Sequence, residues 1–298
     1  MKVFITGIES FVGTYLSETF KKKRYSVFGI DKKKSKASTV KFDITNKNLY
    51  RIIPQNCDCL VHLAAVSTAE SFNRNLLNSF NINVNGTLNV VHSAIRKKVK
   101  QVIFASTEWV YGEEKNFNIK NENSNILLKK ISSDYAFSKI LGEKIIEYYS
   151  YKSNINFTIL RFGIIYGPRF NNQNFSAVET IISDMILNKK LVIGSKKTAR
   201  RFIYITDICE AIFKSVGIKG FKKFNLTGEK LINLEKIYRT GEKILNFKKN
   251  LFEVNKNKYN IRNISNKKFK KYTKWETKID ITEGVKNIIN KFNISDKK

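Results

Sequence analysis

The chain has 298 residues, of which 55 are Lys or Arg and 25 are Asp or Glu, for a formal net charge of +30. That length admits one large domain or two modest ones, with core enough for a sheet covered by helices on both faces. Three cysteines (Cys57, Cys59, Cys209) and two histidines make neither a disulfide framework nor a zinc site, so the thiols are read as core residues and no metal is expected.

The first apolar run, Val3-Phe4-Ile5, leads straight into Thr6-Gly7-Ile8-Glu9-Ser10-Phe11-Val12-Gly13. This reads as a strand turning into a helix, with glycines letting main-chain N–H groups at the helix N-terminus approach a pyrophosphate. Gly7, Ser10, Phe11, Val12 and Gly13 are therefore candidate nucleotide-binding positions. A second run, Val27-Phe28-Gly29-Ile30, ends in Asp31, placed to accept hydrogen bonds from ribose hydroxyls and to repel a ribose phosphate. That favours NAD over NADP, although Lys32, Lys33 and Lys34 follow directly.

Further apolar strands are expected at 40–43, 60–63, 102–105 and 157–161, alternating with helical stretches. Unalternating strands between helices imply a parallel, doubly wound α/β sheet of Rossmann type, with ligands at the strand C-terminal ends. After Gly167-Pro168 the pattern loosens, and Phe202-Ile203-Tyr204-Ile205 reads as one more strand. Residues 1–165, rejoined by 202–226, are expected to form the dinucleotide-binding domain; 166–201 and 227–298 form a smaller, interleaved substrate-binding lobe.

The lysine clusters at 21–24, 32–34 and 267–271 fall at predicted helix ends and loops, and the first complements a helix C-terminal dipole. Lysines spread along the whole chain reflect composition rather than a nucleic-acid face, and leave a positive field that favours anionic ligands. The first strand starts without a leader pattern and no apolar run approaches membrane-spanning length, so a cytoplasmic, soluble protein without a membrane partner is expected.

A third strand end reads Ser106-Thr107-Glu108-Trp109-Val110-Tyr111-Gly112, and a later predicted helix opens Tyr135-Ala136-Phe137-Ser138-Lys139. Tyr and Lys four apart share a helix face, where an ammonium can lower a phenol pKa for general-base work. His62, within a strand run, reads as a packed residue, and His92 has no catalytic partner.

These segments, with Asp43-Ile44, Val61-His62-Leu63-Ala64-Ala65, Asn83-Val84-Asn85-Gly86-Thr87, Leu160-Arg161-Phe162, Tyr166-Gly167-Pro168-Arg169 and Arg200-Arg201-Phe202, resemble the extended branch of the short-chain dehydrogenase/reductase family. Within it, the pattern is similar to the NAD-dependent sugar-nucleotide epimerases and dehydratases, of UDP-glucose 4-epimerase type. The resemblance implies that Tyr135 is the general base and that Lys139 holds the nicotinamide ribose and depresses the Tyr135 pKa. It places Thr107 on the reacting hydroxyl, Asp43 and Ile44 at adenine, and Leu63, Ala64 and Ala65 along the dinucleotide. Asn83 borders the nicotinamide side, Arg200 faces the substrate diphosphate, and Arg169 is a further substrate-binding position.

Departures are informative. Ser10 replaces a glycine, Arg201 an acidic residue, and Ile164 an Asn that contacts the substrate diphosphate in many members, which weakens the case for a UDP-sugar. Where dehydratases carry an acidic pair, this chain has Glu108 and Trp109, and indole is no base. The resemblance thus implies an NAD-dependent nucleotide-sugar epimerase acting through a keto intermediate at C4. A dehydratase with Glu108 as acid and a keto-sugar reductase are the alternatives within the fold. A non-catalytic nucleotide- or RNA-binding module is the alternative outside it, opposed by the Thr107, Tyr135 and Lys139 trio. Apolar helices near 88–95 and 140–149 suggest a homodimer face.

Overall fold

The computed structural model describes residues 1–32, 39–169, 176–246 and 250–295. Seven strands build the main sheet: β1 (Lys2–Thr6), β2 (Ser26–Asp31), β3 (Thr39–Lys41), β4 (Cys59–His62), β5 (Gln101–Thr107), β6 (Asn156–Phe162) and β7 (Phe221–Leu226). Their order is β7-β6-β5-β4-β1-β2-β3, with parallel register from β3 across to β6. The chain order reverses at β1 and β4, which is where an open parallel sheet leaves a ligand crevice beyond its strand ends.

The strands run nearly uninterrupted in apolar residues because both faces are covered. On one side Phe4, Leu60, Val102, Phe104, Phe157 and Ile159 pack with Val90, Val91 and Ala94 of the Gly86–Arg96 helix and Ile146 of the Asp134–Lys152 helix. Close packing here depends on Gly142: a Cβ at that position would lie 2.6 Å from the Phe104 ring. The helix carrying Tyr135 and Lys139 is thereby seated directly on β5. Cys57, Cys59 and Cys209 are buried free thiols, with burial pushing the Cys57 thiol up to about 11.

The chain divides into two compact units. The first comprises Met1–Gly112, Asn125–Phe162 and Cys209–Asn225, and contains nearly all of the main sheet. The second comprises Glu113–Ser124, Gly163–Ile208 and Leu226–Lys298. Here the division differs from the expected boundaries at two places: 113–124 belongs to the second unit, because Ile119–Lys120 pairs in parallel with Ile261–Ile264, and so does 202–208, because Ile203–Tyr204 pairs with Ile165–Tyr166 rather than joining the main sheet. Ile261–Ile264 in turn pairs with Ala199–Arg200, which pairs with Ile232–Asn233. The pairing of Ile119–Lys120 with Ile261–Ile264 joins segments more than 140 residues apart, and none of the three pairings of this sheet leaves a local sequence signal.

Within the second unit, the Ala177–Ile186 and Leu234–Leu245 helices meet at Gly241, where a Cβ would lie 2.6 Å from Ile182. Trp275 is buried and donates its indole N–H to the Asp207 carbonyl at 3.2 Å, while the Asp207 carboxylate accepts from the Lys278 and Ile279 N–H groups. Among the described residues no helix is long and apolar enough to cross a membrane, and no cluster of His, Cys, Asp or Glu could hold a metal ion.

Candidate active site

The turn after β1 is built by two glycines that accept no side chain. Gly7 has φ +73°, and a Cβ there would meet the Ala64 nitrogen at 2.7 Å; at Gly13 it would meet the Gly7 carbonyl oxygen at 2.3 Å. Position 10 needs no glycine, since Ser10 is extended (φ −67°) and its Oγ caps the Phe11–Lys22 helix by accepting from the Gly13 N–H at 3.1 Å. Phe11 and Val12, the first helical residues, are half-buried at this N-terminus.

Asp31 closes the turn from the end of β2, with its Oδ2 accepting from the Glu9 N–H at 3.1 Å. The cation beside it is engaged elsewhere: Lys32 pairs with Asp43 at 3.0 Å. Burial alone would raise the Asp43 pKa, but hydrogen bonds from the Thr45 N–H and hydroxyl, together with Lys32, hold it below the usual carboxylate value. Lys33 and Lys34 lie outside the described residues. Ile44 turns its side chain inward, where a Cβ at Gly86 would come within 2.6 Å of it.

A buried relay supports the other wall. The Ala64 N–H donates to Thr6 Oγ1 (3.3 Å), Thr6 Oγ1 bonds His62 Nδ1 (2.7 Å), His62 Nε2 bonds Thr87 Oγ1 (3.1 Å), and Thr87 donates to the Asn83 carbonyl (2.6 Å). Every donor is used once if His62 is neutral with its proton on Nε2. Burial, followed by the Lys139 charge, drives the His62 pKa down to about 3, in keeping with a neutral ring. The expected packed role is the observed one, and the relay holds the half-buried loop Leu63, Ala64 and Ala65 against the Gly7 turn.

Asn83 sits in a π-helical turn, Asn81–Asn85, a local irregularity that recurs at functional sites. Its Oδ1 accepts from the Val66 N–H (2.8 Å), and its Nδ2 donates to the Val66 carbonyl (3.0 Å) and to Ser138 Oγ (3.0 Å). Ser138 donates onward to the Tyr135 carbonyl at 2.7 Å. Asn83 therefore ties the loop at Val66 to the helix turn that bears Tyr135.

The trio read from the sequence comes together. The Tyr135 phenol lies near Thr107 at the end of β5, and desolvation pushes it up to about 12 against the lowering effect of that neighbouring hydroxyl. Phe72 and Trp109 supply the apolar surroundings, with ring centroids 6.4 and 6.2 Å from that of Tyr135. Lys139 is buried and donates to the Ala105 carbonyl at 2.8 Å; desolvation lowers it to about 8, with Glu143 opposing. The expected depression of the phenol by Lys139 is thus not the observed arrangement, because the ammonium is directed at a main-chain oxygen and the phenol is governed by burial and Thr107. Glu108 is wholly buried at the start of a short 3-10 turn, Glu108–Tyr111.

Beneath the trio lies an ion pair that the sequence reading did not single out. Arg161 and Glu143 are both fully buried and bond in fork geometry, Nε to Oε1 at 2.8 Å and Nη2 to Oε2 at 2.6 Å. Ser106 donates to Glu143 Oε1 (2.5 Å), Arg161 donates to the Tyr111 hydroxyl (2.8 Å), and Tyr111 donates to Asn225 (2.7 Å). One pair thereby anchors the residue before Thr107 and the end of the Glu108–Tyr111 turn. Its signals in the sequence were Arg161 within the Leu160-Arg161-Phe162 segment and Glu143 standing four residues beyond Lys139.

In the second unit, Arg169 bonds the buried Glu179 at 3.1 Å, and Glu179 also accepts from the Gly167 N–H. Arg200 is buried; its Nη1 donates to the Ala199 and Asn260 carbonyls, and its Nη2 to Asn260 Oδ1. Arg201 is held by Asn263 and the Glu229 carbonyl. The strand pairing reveals a partner missed from sequence: Arg262, also buried, is the register neighbour of Arg200.

The profile of the NAD-dependent epimerase/dehydratase family matches residues 3–225, spanning the cradle and the trio. This chain belongs to that family. It is 25% identical over 301 residues to a putative UDP-glucose 4-epimerase of Methanocaldococcus jannaschii, covering 97% of each chain. Among solved structures, the UDP-glucose 4-epimerase of Thermotoga maritima with UDP-glucose superposes with a TM-score of 0.88 at 22% identity over 99% of each chain. The Thermus thermophilus UDP-glucose 4-epimerase in complex with NAD gives 0.87 at 18% identity, over 98% of this chain and 99% of that one. These likenesses establish the Rossmann-type epimerase fold.

The residues present fit the family's dinucleotide. The Gly7 and Gly13 positions would be filled by any Cβ, the helix N-terminus stands behind them, and Asp31 is fixed at the end of β2 where ribose hydroxyls are read.

Proposed function

We propose that this family member is a nucleotide-sugar epimerase that inverts C4 of a hexose through a transient 4-keto sugar. The observation that carries the reading is Trp109 packed on the ring of Tyr135, with Thr107 near the same phenol, in the place where an elimination enzyme needs a second acidic group.

Gly7, Ser10, Phe11, Val12 and Gly13 would cradle the NAD pyrophosphate, Asp31 the adenosine ribose, Asp43 and Ile44 the adenine, and Leu63, Ala64 and Ala65 the rest of the dinucleotide. Bound NAD supplies a hydride acceptor that returns the hydride to the sugar. Tyr135 takes the proton from the C4 hydroxyl as it is oxidised and gives it back on reduction, with Thr107 holding that oxygen. Because desolvation raises its pKa, Tyr135 must first give up its own proton to solvent before it can take the one on the C4 hydroxyl, and an ammonium from Lys139, drawn toward the ribose, would stabilise the phenolate so formed. In the second unit, the register pair Arg200 and Arg262 would bind the substrate diphosphate through two planar forks. The outer faces of the Gly86–Arg96 and Asp134–Lys152 helices, with Tyr148 and Tyr151 exposed, are the proposed homodimer face.

The test is to incubate the protein with NAD and a set of nucleotide sugars and to follow products by NMR and mass spectrometry. An isomer of equal mass is expected. Tyr135→Phe should lower kcat by about a hundredfold or more while leaving NAD affinity nearly unchanged. Net consumption of NADH would point to a keto-sugar reductase.

A further inference from the structure

Arg200 and Arg262 are Cα register partners on adjacent parallel strands, so their side chains leave the sheet on the same face. Both are buried, and two guanidinium groups so placed require a counter-charge. One carboxylate brought to them is that of Glu113. Its Oε1 lies 3.7 Å from Arg262 Nη2 and accepts from Asn260 Nδ2 at 3.2 Å, while Asn260 accepts from both terminal nitrogens of Arg200. Asn260 thus couples the carboxylate to one arginine as Glu113 approaches the other.

We propose that Glu113 is an internal competitor for this paired-arginine site, its carboxylate holding the position on Arg262 that the substrate diphosphate needs. The inference rests on the reading of Arg200 and Arg262 as the phosphate site. Two features make the carboxylate displaceable without unfolding the segment. The neighbouring backbone is fixed, since the Glu114 carbonyl accepts from the Ile261 N–H at 2.7 Å and the Glu114 carboxylate pairs with Lys120 at 3.2 Å. The Glu113 side chain is 45% exposed, so its carboxylate can swing into solvent when another anion takes its place. A diphosphate brings more charge than one carboxylate and offers oxygens to both forks, so it displaces Glu113 outward. A singly charged anion gains little by the same exchange. Glu113 therefore sets both the affinity and the charge threshold of the site.

The experiment is calorimetric titration of UDP, CDP, GDP and dTDP into the NAD-saturated wild type, Glu113→Gln and Arg262→Lys proteins, with thermal melts to verify folding. Glu113→Gln should bind the best of these ligands about tenfold more tightly, because a like charge is removed from beside the phosphates. The advantage should shrink at high salt. Unchanged or weaker binding by Glu113→Gln, with Arg262→Lys weakened, overturns the competitor role while keeping the phosphate site. Undiminished binding by Arg262→Lys, or no binding of any nucleoside diphosphate, overturns the phosphate assignment and this inference with it.

Discussion

The indole of Trp109 packs edge-on against the ring of Tyr135, with centroids 6.2 Å apart and planes at 75°. It follows Glu108, which is wholly buried. Elimination of water from a sugar needs a proton donor at the departing hydroxyl, whereas epimerisation needs only the exchange at Tyr135. Glu108→Gln is isosteric, so it is expected to retain at least about a tenth of wild-type turnover. Its product should keep the mass of the substrate. Abolished turnover, or a wild-type product lighter by one water, would identify Glu108 as a leaving-group acid and the protein as a dehydratase.

Asp31 is held at the cradle by the Glu9 N–H, and Lys32 is drawn to Asp43. A ribose phosphate would meet the carboxylate without help from that lysine. NAD should therefore bind more tightly than NADP, and Asp31→Ala should reduce the preference by about tenfold or more. Fluorescence titration with both nucleotides measures the ratio, and a wild-type preference for NADP would contradict the role given to Asp31.

Removing one member of the Glu143 and Arg161 pair leaves a buried charge without its fork partner. Glu143→Gln and Arg161→Met should each cost about 3–5 kcal/mol, read as a lower urea midpoint. The double variant Glu143→Met with Arg161→Met should be less unstable than the sum of the singles, because neither member of the fork is left without the other, although Lys223 loses its 3.8 Å contact with Glu143 in both Glu143 variants. Additive losses would mean that the pair is not a coupled unit.

His62 links acid stability to the loop held against the Gly7 turn. Its folded pKa, about 3, lies below the ordinary value of 6.5, so between them the unfolded chain binds the extra proton. Stability contributed by the neutral ring is complete above pH 6.5 and is lost as pH falls toward 3. Between pH 6.5 and 5, above the carboxylate range, the loss should be about 2 kcal/mol. His62→Gln should flatten this part of the Tm profile, and a profile as steep as the wild type would show that another group is responsible.

Much of the first unit is legible along the chain because its determinants are local. The Gly7 and Gly13 turn, the acidic end of β2, the unalternating strands and the four-residue spacing of Tyr135 and Lys139 each follow from backbone geometry or helix period within a short window. Position 10 was also legible in outcome, since a serine can cap a helix whose turn requires glycine only on either side of it.

Tertiary structure decided what depends on distant segments. The strand ladder placed Arg262 beside Arg200 and assigned 113–124 to the second unit, and nothing within either stretch encodes those pairings. Burial decided charge states: His62 is neutral because its relay runs through Thr6 and Thr87, and Lys139 is lowered because the sheet and helix exclude water around it. The direction of the Lys139 ammonium, toward Ala105 rather than along its own helix to Tyr135, is likewise a product of packing against β5. Sequence spacing puts two side chains on one helix face, but the opposing surface determines where their charged ends go.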